Sequence, residues 1–280
     1  MNLRKKKPSE VLFNILNHIV FIIITLIVLV PLFLVVLSSF KTPEQISQGY
    51  HLSLPLPFSL ENYREVFKNG NVLTGFKNSI LLVLGTITMN VLLSSMVAYS
   101  LSRFEFKLKK VYFFLFSFSM LIPSFIAEIT RFGIIGKLGI YDTLLAPMVI
   151  YISTDILQIY VYKQFIDQIP YSLDESARID GCSYFKIYWK VIFPLILPAT
   201  ATLIILKSVD VLNDMFTPYL YMPSAKNATL TTMLMSYVGR SGSWAKLSAA
   251  IVIVMLPTVI MYLIFKKKIL SGIVAGAVKE

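Results

Sequence analysis

Three places in this 280-residue chain hold polar residues whose types and spacing could do chemistry. The first is S-L-D-E-S-A-R-I-D-G-C at residues 172 to 182, a cluster of acids with a lone arginine and a glycine in a chain that is 56% apolar. The second is Asp155, with Gln158 one helical turn further on, and the third is I-I-L-K-S-V-D-V-L-N-D, which contains Lys207, Asp210, Asn213 and Asp214. Ionisable groups inside apolar stretches cost at least about 2.5 kcal/mol each on insertion scales, so they usually face a partner or a water-filled path. Lys207 and Asp210, three apart on one helix, could simply neutralise each other. Alternatively they line a route with Asp155 and Gln158 and offer donors and acceptors to the hydroxyls of a sugar. Both readings stand at this point, and a lysine in the path leaves neutral and acidic sugars equally open.

Other chemistries have no residues to carry them. Cys182 is the only cysteine, so no intrachain disulfide can form, and His18 and His51 are too far apart in topology to suggest a metal pair. No metal ligand set, no clustered His or Cys and no paired-acid motif supports a membrane-bound enzyme, so no catalytic residue is assigned. G-x-x-x-x-G-K-[ST] does not occur, since the only Gly-Lys step, Gly136-Lys137, is followed by Leu138. No ATP-binding motif is therefore expected in this chain, and energy for any ATP-driven process would come from a separate subunit.

The elements that must position these residues follow from composition. Only 15% of residues are charged, against roughly 25% in a soluble domain, and the mean hydropathy is +0.72. A span needs about 20 mostly apolar residues, and six stretches qualify: about 15–38, 78–100, 111–130, 143–162, 191–211 and 244–265. The expectation is an all-α membrane protein, one transmembrane domain over residues 1–280 with six transmembrane helices and no detectable internal repeat. The first stretch is longer than a signal-peptide core and runs into S-S-F-K-T-P-E-Q rather than a cleavage site, so it reads as a retained span.

A formal charge of +11 does not point to nucleic acid, because the basic residues alternate with the spans. Arg4 to Lys7, then Arg103, Lys107, Lys109 and Lys110, then Lys163, Arg178, Lys186 and Lys190, then Lys266 to Lys268 and Lys279 place sixteen of the 26 on one side. Crowding beside span ends is where the positive-inside bias operates. Both termini and residues 172 to 182 are thus expected in the cytoplasm. On the outer side, residues 41 to 73 suggest an extended L-P-L-P approach to a surface-lying helix capped at Ser59, with Asn62 next along. The sequon Asn227-Ala228-Thr229 is short enough to arise by chance.

Within the cytoplasmic segment of about 167 to 190, Pro170 closes the preceding span, and Ser172 with Glu175 has the spacing of a capping box. Gly181 can take the left-handed conformation that ends a helix. A second helix follows through S-Y-F-K-I-Y-W-K-V-I-F, with Lys186 and Lys190 on one face and Tyr184, Tyr188 and Trp189 as rings suited to the headgroup region.

This pattern resembles a known family. Glu175-Ser176-Ala177, three residues, Gly181, nine residues and Val191-x-Phe193-Pro194 are similar to the EAA loop (E-A-A, three residues, G, nine residues, I-x-L-P) of permease subunits of binding-protein-dependent ABC importers. Ser176, Val191 and Phe193 depart from it by residues of similar bulk. The surrounding A-R-I-D-G, the pair Asn213-Asp214, the series Trp244, Leu247, Ala249-Ala250 and Pro257, and the ending S-G-I-V-A-G-A-V-K-E resemble the carbohydrate branch, in particular the maltose-type smaller permease. The likeness runs from about residue 75, with Leu212 where the family usually has tryptophan.

The resemblance implies a type I ABC importer permease fold in a bacterial cytoplasmic membrane, moving a carbohydrate, an oligosaccharide by this branch. It implies a coupling helix docked on a cytoplasmic ATPase dimer through Glu175, Ser176, Ala177, Asp180 and Gly181. The other partners implied are a second homologous permease, an extracytoplasmic solute-binding protein, the carbohydrate and membrane lipid. No cofactor is expected in this chain, with ATP and Mg bound by the partner ATPase. The alternative from another class is an ion-coupled secondary transporter using Asp155, Lys207 and Asp210, which leaves the segment around Glu175 unexplained.

Overall fold

The computed structural model describes residues 8–49, 52–119, 121–153, 155–238 and 243–277. Arg4 to Lys7, His51 and Lys279 lie outside the described residues. In chain order the α-helices are α1 (Pro8–Ser39), α2 (Pro43–Ser47), α3 (Glu61–Asn69), α4 (Val72–Arg103), α5 (Lys109–Ser119), α6 (Ser124–Lys137), α7 (Leu145–Ile152), α8 (Ile156–Asp167) and α9 (Ser172–Ile179). They continue with α10 (Tyr184–Ile187), a π-helical turn at Tyr188–Ile192, α11 (Phe193–Leu195), α12 (Leu197–Asn213), α13 (Phe216–Tyr221) and α14 (Trp244–Ala277).

Among the described residues three helical stretches are long and apolar enough to cross a membrane unaided: Phe13–Ser39, Val72–Arg103 and Trp244–Lys266. The expected spans at 143–162 and 191–211 are instead broken pairs, α7 with α8, and α10–α11 with α12. The second pair bends by 77°, because Pro194 and Pro198 on either side of Ile196 each remove a backbone donor from the ladder. Residues 191 to 195 therefore belong to the arm before the bend, and α12 alone carries the rest of that stretch. The expected span at 111–130 falls on α5 and α6, where Pro123 stands as the residue before α6. Proline there cannot donate to a continuing helix, and it restricts Ile122 as well.

The chain forms two compact units, Met1–Gly70 with Leu234–Val254, and Asn71–Met233 with Met255–Glu280. In the first, α1 keeps most of its apolar side chains exposed from Phe13 to Val36, as a helix facing lipid does. After α1 the chain turns back on itself through Asn62, whose amide donates to the carbonyls of Ser39 (3.0 Å) and Lys41 (2.7 Å). Phe40 stacks on Phe58 with ring centroids 4.5 Å apart, and Glu65 pairs with Lys246. The helix expected to be capped at Ser59 begins at Glu61 after Leu60, and it is not merely surface-lying, since Asn62 and Val66 are buried. Ser59 still helps, its hydroxyl accepting from the Glu61 amide at 3.2 Å.

The second unit is organised by α4. Its buried positions include Gly75, Asn78, Ser79, Leu82, Thr86, Asn90, Ser94, Ala98 and Tyr99, a stripe of small and polar residues at helical spacing. Between helices in lipid, small residues allow close approach and polar side chains bond across, because there is no water to drive association. Asn90 donates to the carbonyls of Tyr151 (3.4 Å) and Ser153 (3.3 Å), where α7 gives way to α8. Ser94 donates to Gln158 at 3.0 Å, and Ser95 shares a 2.7 Å hydrogen bond with Tyr188. At the other end Asn78 donates to the carbonyls of Lys226 (3.1 Å) and Ala228 (3.0 Å). Tyr188, expected among interfacial rings, is buried in a cluster with Tyr99, Ile159, Tyr162 and Leu203, because the bent arm turns it inward.

The connections at the opposite end from α9 are also tied. The Asp142 carboxylate accepts from the Ser224 amide at 3.0 Å and from the Ser224 hydroxyl at 2.5 Å, and these hydrogen bonds hold it below the usual carboxylate range. Asn227 of the sequon donates to the Asp142 carbonyl at 2.5 Å, so its amide already has a structural task.

Asn90→Leu keeps the volume but leaves the carbonyls of Tyr151 and Ser153 without their donor. The variant should lose about 0.6 to 2 kcal/mol of unfolding free energy in bilayer or micelle, measured against Leu93→Ala, an exposed change on the same helix, which should lose less.

Candidate functional site

The segment read as a coupling element is α9 with the turn that follows it. The capping box is not formed: Tyr171 stands before the helix with no side-chain cap, and Ser172 is already helical. The Leu173 and Asp174 amides bond to the carbonyls of Pro170 and Tyr171, so the proline turn nucleates the first turn in place of a serine side chain. The C-terminal expectation holds. Gly181 has φ +79°, its amide bonds to Arg178 O, and the Cys182 amide reaches Ala177 O at 2.9 Å. This is the paired pattern by which a left-handed residue closes a helix, and Ala177 and Cys182 pack together against the core beneath it.

Asp174, which sequence reading did not single out, fixes α9 in place. Its carboxylate lies 3.2 Å from Arg103 Nε at the end of α4, with both side chains under a tenth exposed. Neither atom has an aligned hydrogen bond, so the contact is one of charge. Burial pushes the Asp174 carboxyl above its usual range, and the Arg103 guanidinium pulls it back. Arg103 also donates to Ile169 O at 2.8 Å and lies 5.7 Å from the centre of the Tyr171 ring. Next to it Ser102 donates to Asp167 at 2.5 Å. The remaining face of α9 is free of the chain: Glu175, Ser176 and Asp180 are exposed, and so is Ile179, at 86%. An isoleucine thus stands in the open beside exposed acids, on a helix anchored from behind by Asp174.

The second constellation is a cavity of about 630 Å³ lined by Glu128 and Arg131 of α6, Tyr151 of α7, Lys207 and Asp210 of α12, Asp214 just after α12, and Thr217 of α13. Lys207 Nζ lies 3.0 Å from Asp210 and 5.8 Å from the centre of the Tyr151 ring. Arg131 lies 2.6 Å from Glu128, which also accepts from Tyr221 OH at 2.6 Å. Asp214 accepts from Tyr151 OH at 2.8 Å and from the Thr217 hydroxyl at 2.6 Å. Three of the sequence candidates thus meet: Lys207, Asp210 and Asp214.

The other three sit elsewhere. Asp155 caps α8, accepting from the Leu157 amide at 2.8 Å. Gln158 is buried against α4, and Asn213 accepts from Thr258 at 3.3 Å. Glu128 and Arg131 are cavity residues that sequence reading passed over, although their three-residue spacing repeats that of Lys207 and Asp210.

Residues 90–269 match the family described as binding-protein-dependent transport system inner membrane component. Over 266 residues the chain is 32% identical to the probable starch degradation products transport system permease protein AmyC of Thermoanaerobacterium thermosulfurigenes, covering 92% of this chain and 94% of AmyC. It is 29% identical over 279 residues to the arabinooligosaccharides transport system permease protein AraQ of Bacillus subtilis (strain 168), covering 98% and 99%. The fold matches a chain of the solved structure of a bacterial ABC transporter involved in the import of the acidic polysaccharide alginate, with a TM-score of 0.83 at 23% identity over 94% of this chain and 98% of that one. A second structure, the alginate ABC transporter in complex with an alginate pentasaccharide-bound periplasmic protein, matches with a TM-score of 0.56 at 16% identity over 74% and 81%.

Removing one partner of a buried ion pair costs about 3 to 5 kcal/mol, whereas removing both is often tolerated. Asp174→Ala should therefore speed amide exchange across residues 172 to 182 by about a hundredfold or more, read by hydrogen–deuterium exchange. Arg103→Met with Asp174→Leu should speed it less than Asp174→Ala does.

Proposed function

The chain belongs to the family of binding-protein-dependent transport system inner membrane components, and from that premise we propose that it is the membrane-spanning permease subunit of an ATP-driven importer of an oligosaccharide. The observation that carries this reading is α9: a short helix closed by Gly181 and anchored by Arg103, with Glu175 and Ile179 turned outward. Relatives named for starch degradation products and for arabinooligosaccharides support the substrate class. The protein works with a second homologous permease, a cytoplasmic ATPase dimer that binds ATP and Mg, and an extracytoplasmic solute-binding protein. It sits in the bacterial cytoplasmic membrane with six spans and with both termini and α9 on the cytoplasmic side, as the basic residues at that end direct. α5 and α6 together make the third span.

The route for the solute passes the cavity between α6, α7 and α12. Its cations are each matched by an acid, Arg131 by Glu128 and Lys207 by Asp210, while Asp214 adds a further carboxylate. No lining cation is left over for a uronate, whereas hydroxyls find acceptors in the carboxylates and donors in Arg131, Lys207 and Thr217. A neutral oligosaccharide fits this wall better than an acidic one. The ion-coupled alternative is weakened, since Asp155 is spent on capping and Lys207 on Asp210.

In the mechanism, closure of the ATPase dimer pushes on α9. The buried Arg103–Asp174 pair passes that push to α4, and α4 is bonded through Asn90 and Ser94 to the broken α7–α8 span that carries Tyr151 into the cavity wall. A rigid helix attached at both ends moves as a lever.

The complex should co-purify with an ATPase, and uptake should survive an uncoupler as long as ATP remains. Glu175→Gln removes a charge from the docking face, and Gly181→Val forces a β-branched residue into a left-handed turn. Both should reach the membrane in normal amount, with uptake per ATP hydrolysed reduced several-fold and Gly181→Val the worse. Full ATPase binding with unchanged coupling in both would remove α9 from this role.

The path is tested separately. Lys207→Met together with Asp210→Leu keeps the local charge balance, so the protein should assemble, while uptake of the neutral oligosaccharide falls at equal protein level. Unchanged uptake and selectivity would exclude the pair from the route.

A further inference from the structure

A larger cavity, of about 970 Å³, lies at the other end of the second unit, where the α4–α5 connection, α5 and the end of α8 meet. It is no part of the sugar route, sharing no lining residue with the cavity around Lys207. Its lining divides by chemistry. Lys107, Lys109, Lys110 and Lys163 supply four ammonium groups, and Phe113 and Phe114 with neighbouring apolar side chains supply a greasy wall. Two lysines are already matched, Lys109 to Glu105 and Lys163 to Asp167, each at 2.6 Å. Lys107 and Lys110 have no hydrogen-bond or ion-pair partner among the described residues, which leaves two uncompensated positive charges at the cavity.

We propose that this cavity is a binding site for an anionic phospholipid, with the phosphate held by Lys107 and Lys110 and the acyl chains laid along Phe114. The phosphodiester carries one negative charge and several acceptor oxygens, which suits two flexible ammonium donors. The apolar wall distinguishes a lipid from a soluble phosphoester. Phe114 is 62% exposed and is followed along α5 by exposed Leu115 and Phe118, so a chain leaving the headgroup finds continuous apolar surface in the bilayer direction. Basic pockets between spans at the cytoplasmic face recognise anionic headgroups by this combination. Placing this end at the cytoplasmic leaflet rests on the orientation proposed above, but the lipid measurement does not depend on transport. Ser102 and Arg103 at the end of α4 bond to Asp167 and the connection before α9, so an occupied site would brace the same helix end that holds the docking helix.

The test uses the assembled transporter, co-expressed with its partner subunits, purified in detergent and exchanged into equal amounts of phosphatidylglycerol and phosphatidylcholine with identical acyl chains. Retained lipid is counted by native mass spectrometry. The wild type should keep phosphatidylglycerol in preference, and Lys107→Gln with Lys110→Gln should lower that preference about tenfold. Lys107→Arg with Lys110→Arg, which keeps the charges, should retain it, as should Lys137→Gln at the opposite end. No preference in the wild type, or full preference in the double glutamine variant, would overturn the proposal. Displacement of phosphatidylglycerol by millimolar glycerol 3-phosphate would also overturn it, by showing that the site takes the phosphoester without the lipid.

Discussion

A bilayer offers no water to a peptide group, so a break in a transmembrane helix must find its hydrogen bonds inside the protein. The whole second unit turns on this constraint. Where α7 ends at Ile152 and α8 begins at Ile156, helical pairing lapses, and the amide of Asn90 donates to the carbonyls of Tyr151 and Ser153. Asp155 serves the next turn by accepting from Leu157. The break is stable because a neighbouring helix brings an amide side chain to it, and that helix can come close because Thr86, Ser94, Ser95 and Ala98 are among the small residues of its buried stripe.

From that helix the remaining parts follow. One end of α4 holds the connection after α13 through Asn78, and the other holds the approach to α9 through Arg103. Arg103 and Asp174 are both buried, so pulling α9 away from α4 would strand a charge in a poorly solvated place. A displacement of α9 therefore carries α4 with it more readily than it parts from it. Since Tyr151 receives α4 on its backbone and gives its hydroxyl to Asp214, the far end of this chain of contacts is a wall of the charged cavity.

Much of this was legible in the sequence, and what was not has a physical reason. Apolar runs and the alternation of basic residues fixed the class, because burial in lipid and positive charge at span ends act residue by residue. Gly181 was readable because only a residue without Cβ takes φ +79° without strain. The capping box failed because Ser172 and Glu175 have the right spacing but the Pro170-Tyr171 turn starts the helix one residue earlier, a competition spacing alone cannot decide. Tyr188 was misplaced because its burial depends on the 77° bend at Ile196, a tertiary event. The polar stripe of α4 is visible in the sequence, since Asn90, Ser94 and Ala98 recur every fourth residue, but uncharged polar groups cost less in lipid than ionisable ones and so mark themselves less sharply. The rule for ionisable groups, applied evenly, finds Glu128 and Arg131.

The two ion pairs of the cavity explain how a charged wall can stand among apolar helices. A lone lysine or carboxylate there would be driven toward its neutral form or toward water, but Lys207 with Asp210, and Glu128 with Arg131, each cancel their own charge within a single turn. Such pairs need no partner from across the cavity, so α6 and α12 can separate or approach without stranding a charge. The wall keeps its polar groups at every stage of such a movement, and its field changes little as the helices shift. Hydrogen bonds do reach between elements: Glu128 of α6 accepts from Tyr221 of α13, and Asp214, which has no ion pair among the described residues, accepts from Tyr151 of α7 and Thr217 of α13. Among the described residues Asp214 is the one carboxylate of the cavity that accepts a hydrogen bond from α7, so a shift of α7 away from it would leave it an acceptor without its donor unless another hydroxyl took the place of Tyr151.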